Sequence, residues 1–76
     1  MNKMRTGQDA PLHDQLTARE KEILLLMTEG KTNQEIGMEL GISQKTVEKH
    51  LESVFAKLKV TSRVEAAVLA VQEKWV

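Results

Sequence analysis

Seventy-six residues make one small domain, and eleven Lys and Arg balance eleven Asp and Glu, so total charge by itself announces no polyanionic partner. The absence of cysteine excludes a disulfide framework, a thiolate metal site and a cysteine nucleophile. The longest apolar runs, Ile23 to Met27 and Ala66 to Val71, are five and six residues, far short of the roughly 20 that a bilayer span needs, and Lys3 and Arg5 have no apolar stretch behind them to make a secretory signal.

Residues 1–15 hold few apolar groups and the only proline, without helical periodicity. Such a segment buries too little surface to offset ordering, so it reads as a mobile N-terminal arm or linker. The folded part then spans 16–76, an all-α domain of four short helices. A chain of that size buries only about 60% of its unfolded surface and is marginal alone.

Four helix starts are written in local chemistry. Thr17-x-x-Glu20, Thr32-x-x-Glu35 and Ser62-x-x-Glu65 match the capping box, and Ser43 supplies a fourth N-cap hydroxyl. Gly30 and Gly41 stand where a left-handed residue ends a helix at little steric cost. The predicted helices cover about 18–29, 33–40, 44–58 and 63–74.

Periodicity assigns the faces. In the first helix Ile23, Leu26 and Met27 point inward with Leu24 at the margin, Leu16 staples the start, and Leu25 points away. Ile36 and Leu40 are the inward residues of the second. In the third, Val47, Leu51, Val54 and Leu58 form an unbroken stripe, and Lys45, Glu48, Lys49, Glu52, Ser53 and Ala56 occupy the other side. The fourth is apolar on two sides. Ala66 and Ala70 are expected inward with Leu69 on the same half, while Val64, Val68, Val71 and Trp75 share the other. A small domain does not leave such a stripe to water without cost. Val64, Val68 and Val71 are therefore read as a dimer contact with a second copy, the alternative being a core that uses both faces.

The spacing Ile36-Gly37-x-x-Leu40-Gly41-Ile42-x-x-x-x-Val47 has the physical content of a helix-turn-helix. A small residue at 37 lets the next helix cross closely, Gly41 permits the turn, and Ile42 with Val47 pins the second helix on the first. Two packed helices joined by a glycine turn, without a DNA role, fit that spacing equally well. Charge placement weighs toward DNA. Lys45, Lys49, Lys57, Lys59 and Arg63 outnumber Glu48 and Glu52 within residues 43–63, while residues 16–42 and 64–76 are each net negative.

Leu16-Thr17-Ala18-Arg19-Glu20-x-Glu22-Ile23-Leu24 resembles the opening of the LuxR-type helix-turn-helix domain. Gly30-Lys31-Thr32-Asn33-x-Glu35-Ile36, Ser43-x-Lys45-Thr46-Val47-x-x-His50 and Lys57-Leu58-x-Val60-x-Ser62-Arg63-x-Glu65-Ala66 continue the resemblance in one register across nearly all of 16–76. The flavour is that of NarL/FixJ response-regulator output domains or of a stand-alone GerE-like regulator. The resemblance implies a cytoplasmic transcription regulator. Its partners would be double-stranded DNA, a second copy of the chain and, as a further candidate, RNA polymerase, with the third helix as reader and the fourth as dimer contact. It also implies a phosphate contact for Thr46, the alternative being a first-turn residue that bonds back to Ser43.

From chemistry, Lys45 and Lys49 can reach phosphate or guanine O6/N7, Lys57 and Arg63 sit where they would hold backbone, and Thr32 and Asn33 can offer helix N-terminal amides to a phosphate, though Asn33 fits a plain cap-region role equally well. Ser53 completes the expected DNA-facing set. Glu48 and Glu52 depart from the basic or neutral groups that resemblance leads one to expect. One of them is read as a sequence filter, since a carboxylate can accept from cytosine N4; the alternative is an ion pair with a lysine on the same helix. His50 has no metal-spaced companion and reads as a structural, hydrogen-bonded histidine; His13 lies in the arm. No acid–base pair, phosphate-binding glycine loop or activated nucleophile can be assembled, so neither an enzyme nor a cofactor or metal site is expected. The alternative function is a helical protein–protein module that keeps the fold without specific DNA binding.

Overall fold

A computed structural model of the protein describes residues 12–75. A 3-10 turn, Leu12–Gln15, precedes helices α1 (Ala18–Thr28), α2 (Asn33–Leu40), α3 (Gln44–Leu58) and α4 (Arg63–Gln72), and the described residues contain no strand.

Each helix begins where a hydroxyl can satisfy an otherwise orphaned amide. The Thr17 and Thr32 hydroxyls accept from the amides of Glu20 and Glu35, and those two carboxylates accept the cap residues' own N–H groups in return at 2.9 and 2.8 Å. Ser43 caps α3 by accepting from Thr46 N–H at 3.0 Å. At α4 the reciprocal half is missing. Ser62 accepts from Glu65 N–H, but the Glu65 carboxylate reaches one residue further back, where the amide and hydroxyl of Thr61 donate to it at 2.7 and 2.8 Å. These donors, the amide first, hold the Glu65 carboxyl below its usual range.

Helix ends follow the expected glycines and two unexpected lysines. Gly30 (φ +90°) and Gly41 (φ +73°) adopt the left-handed region, but so do Lys59 and Lys74, at 61° and 59°. At both lysines the following amide donates back to the last turn, Val60 N–H to Phe55 O and Trp75 N–H to Ala70 O, which satisfies carbonyls that would otherwise lack partners. The second of these stops α4 at Gln72, two residues short of the periodic expectation.

The core contains Leu16, Ile23, Leu24, Leu26 and Met27, joined by Ile36, Val47, Leu51, Val54, Leu58 and Ala66. Leu24 is as shielded as Ile23 rather than marginal, and Leu40 is half-buried. Each fully buried aliphatic side chain contributes roughly 2 kcal/mol. The most extensive helix pairing is α2 on α3, and Gly37 is the reason it can be close: a Cβ there would meet the Ile42 carbonyl oxygen at 2.6 Å. The small-residue expectation at 37 holds for this steric reason.

Leu12–Gln15, assigned to the arm from the sequence, form the 3-10 turn: Leu12 packs against the core and the His13 ring stacks on Trp75, centroids 5.0 Å apart. The part of the arm reading that covers 1–11 lies outside the described residues. Trp75 also leaves the valine stripe: once Lys74 reverses the chain, the indole folds onto His13 and the core edge. Val64, Val68 and Val71 stay exposed, as expected, and Ala66 and Ala70 are fully buried.

Candidate nucleic-acid interface

The stripe Val47, Leu51, Val54 and Leu58 is almost wholly shielded, so the opposite side of α3 must face outward. Lys45, Thr46, Glu48, Lys49 and Glu52 are exposed there, and Ser53 is half-buried at its margin. The Ser43 and Thr46 hydroxyls lie 2.9 Å apart, so Thr46 is tied to its own cap. Gln44, at the first position of α3, donates from Nε2 to Glu48 Oε2 at 3.4 Å.

Beside this face, three elements converge. Arg63, at the start of α4, donates from Nη1 to Asn33 Oδ1 at 2.6 Å and from Nη2 to the Lys31 carbonyl at 3.2 Å. Arg63, Asn33, Thr32, Lys31 and Gln44 thus line one cleft between the N-terminal ends of α2, α3 and α4. Of the residues singled out from sequence, the fold brings Thr32, Asn33 and Arg63 together here and sets Lys45, Thr46, Glu48, Lys49 and Glu52 along the neighbouring face.

Lys57 has a second engagement. Its Nζ donates to Glu20 Oε1 at 2.8 Å, and the same oxygen accepts the Thr17 amide. Glu20 is 5% exposed, the one buried charged residue among those described. Burial pushes its carboxyl upward, but hydrogen bonds from Lys57, the Thr17 amide and Ser53, with the Lys57 charge, outweigh that and bring it down to about 2. Sequence reasoning placed Glu20 in a capping box and missed its partner across the fold. A signal was available: Glu20 shares the i, i+3, i+4, i+7 face of Ile23, Leu24 and Met27. Gln44 was also missed; it carries no signal beyond its place in the first turn of α3.

His50 is half-buried at the edge of the stripe, and its ring makes no hydrogen bond among the described residues, unlike the expectation. No group of three potential metal ligands exists among the described residues, and no helix among them is long and apolar enough to cross a membrane.

Residues 14–70 match the family described as "Bacterial regulatory proteins, luxR family". The chain is similar to transcriptional regulatory protein LiaR of Bacillus subtilis (strain 168), at 52% identity over 65 residues, 86% of this chain and 31% of that protein. It is 46% identical over 66 residues to transcriptional regulatory protein DegU of Brevibacillus brevis, 87% of this chain and 28% of the relative. Response regulator protein VraR of Staphylococcus saprophyticus is 44% identical over 68 residues, 90% and 32% respectively. The chain spans about a third of the length of these curated relatives. Among solved structures, that of the transcription factor GerE superposes with a TM-score of 0.72 at 33% identity, covering 79% of this chain and 90% of that one. The anchors read from the sequence, the helix order and these likenesses agree: the chain belongs to the luxR family of bacterial regulatory proteins, as a four-helix, helix-turn-helix DNA-binding transcription-regulator domain.

Proposed function

We propose that the domain reads duplex DNA in the major groove with α3, acts as a homodimer through α4, and controls transcription in the cytoplasm. The observation that carries this reading is the two-sided character of α3, with a buried aliphatic stripe behind and Lys45 and Lys49 exposed in front. Lys45 and Lys49 take phosphate or guanine O6/N7, and Thr46 takes a phosphate from the capped first turn. Thr32 and Asn33 bring the N-terminus of α2 to the backbone, with Arg63 bridging from α4. Lys57 keeps 34% of its side chain exposed, enough to meet a phosphate while it grips Glu20. Glu48 and Glu52 face the bases, with Ser53 flanking them at the margin of that surface. Val64, Val68 and Val71, 72%, 49% and 63% exposed, supply the two-fold contact.

The test is a titration of a fluorescent duplex pool at two salt concentrations with wild type, Lys45→Ala and Lys49→Ala. Affinity should fall with salt by about 0.9 in log–log slope per phosphate met, and each substitution should reduce that slope by about one or less. Equal affinity for all three proteins at both salts overturns the reading. Met38, 77% exposed, and Leu25, 42% exposed, favour the second reading, a protein-interaction module, which that outcome would support.

A further inference from the structure

We propose that Glu48, steadied by Gln44, makes the domain select a cytosine at one position of each DNA half-site; this rests on the major-groove reading above. Val47 is fully buried and Ser43 caps the helix, so the first turn of α3 has little freedom to rotate. Gln44 and Glu48 stand one turn apart on the exposed surface, and the Gln44 amide donates to one carboxylate oxygen at 3.4 Å. The second carboxylate oxygen and the Gln44 carbonyl are left as acceptors. No cation neutralises Glu48: the ion pairs among the described residues are Arg19–Glu22, Lys31–Glu39 and Lys57–Glu20. Lys45 and Lys49 stay separate on the same face.

An unneutralised carboxylate on a face that meets phosphates weakens binding to every sequence unless a base supplies a donor. Only two base edges do so in the major groove, cytosine N4 and adenine N6. Adenine sets the N7 lone pair beside its amino group and repels a carboxylate there, whereas cytosine has only C5–H at that place. Guanine O6 and N7 and thymine O4 are acceptors and are rejected outright. One C·G pair also offers O6 and N7 to a neighbouring lysine, so the opposite charges on this face answer the two edges of a single base pair. The carboxylate then acts by exclusion as much as by attraction.

The experiment selects binding sites from a randomised duplex library with wild type, Glu48→Ala and Lys49→Ala. The selected duplex is then compared with one in which the cytosine is replaced by a 2-pyrimidinone nucleotide, lacking only the N4 amino group. Wild type should enrich one fixed cytosine per half-site and lose about tenfold in affinity without the amino group. Glu48→Ala should be indifferent to the amino group and bind unselected DNA more tightly. Glu48 is exposed, so the variant is expected to keep the wild-type circular dichroism spectrum. The same consensus from wild type and Glu48→Ala, or wild-type indifference to the amino group, overturns the inference while the major-groove reading stands. No enriched sequence, with Lys49→Ala binding as wild type does, overturns both.

Discussion

Glu20 and Lys57 lie 37 residues apart in the chain and meet at 2.8 Å in the fold. The carboxylate oxygen that closes the N-terminal cap of α1 is the one that holds the last turn of α3. One oxygen therefore contributes both to the initiation of α1 and to the docking of the candidate reading helix against it, in a domain with a small core.

Replacing Glu20 by Gln should lower stability near neutral pH by about 2 kcal/mol, because an inward-facing charge pair is broken and Lys57 is left without its partner. The carboxyl falls from 4.5 to about 2 on folding, so its contribution is full above the unfolded value and drains away as pH drops from there toward 2. Urea midpoints of wild type and variant should differ near neutrality, draw together as pH falls from 4.5, and converge only as it approaches 2. Profiles that stay parallel through the acid range would contradict this.

Gly37→Ala should destabilise by about 2 kcal/mol. In an unobstructed helix the same change stabilises by up to about 1 kcal/mol, so the sign alone is diagnostic. The added methyl would stand 2.6 Å from the Ile42 backbone oxygen, and backbone there yields only by opening the α2–α3 turn. Chemical denaturation reads the stability. A DNA titration should show a parallel loss, since α3 shifts with the turn.

Val68→Asp should leave the monomer folded, since that side chain is 49% exposed. Under the proposed two-fold contact it should abolish self-association in sedimentation equilibrium and weaken binding to a palindromic site more than to a single half-site. A wild-type chain that remains monomeric at every concentration, and on DNA, would defeat the dimer.

The stacked His13–Trp75 pair gives a spectroscopic handle, as Trp75 is the only tryptophan. Burial and then the nearby Lys21 push the imidazole below 6.5, against a smaller opposing pull from Asp14. Protonation is thus disfavoured in the folded chain, and the clasp's contribution is present above 6.5 and lost as pH falls below it. Tryptophan emission should titrate with a midpoint under 6.5, and His13→Gln should flatten the curve. A midpoint above 6.5, or the same curve in the variant, would show that the ring is not held as described.

Much of the fold is legible in the sequence because it is made of interactions three or four residues long. Thr17, Thr32, Ser43 and Ser62 announce helix starts by hydroxyl chemistry alone, Gly30 and Gly41 announce two ends, and the stripe from Val47 to Leu58 states which side of α3 is covered. The outward set from Lys45 to Glu52 follows from that stripe by elimination. Other features needed the tertiary structure. Lys59 and Lys74 take a left-handed backbone that no glycine marks, and Glu65 turns to Thr61 instead of completing its box. Lys57 on Glu20, Arg63 on Asn33 and His13 on Trp75 depend on how the helices cross. Short-range hydrogen bonds and periodicity are properties of the chain wherever it is. Partners distant in the chain exist only after burial has fixed the crossing angles, and no local pattern encodes those angles.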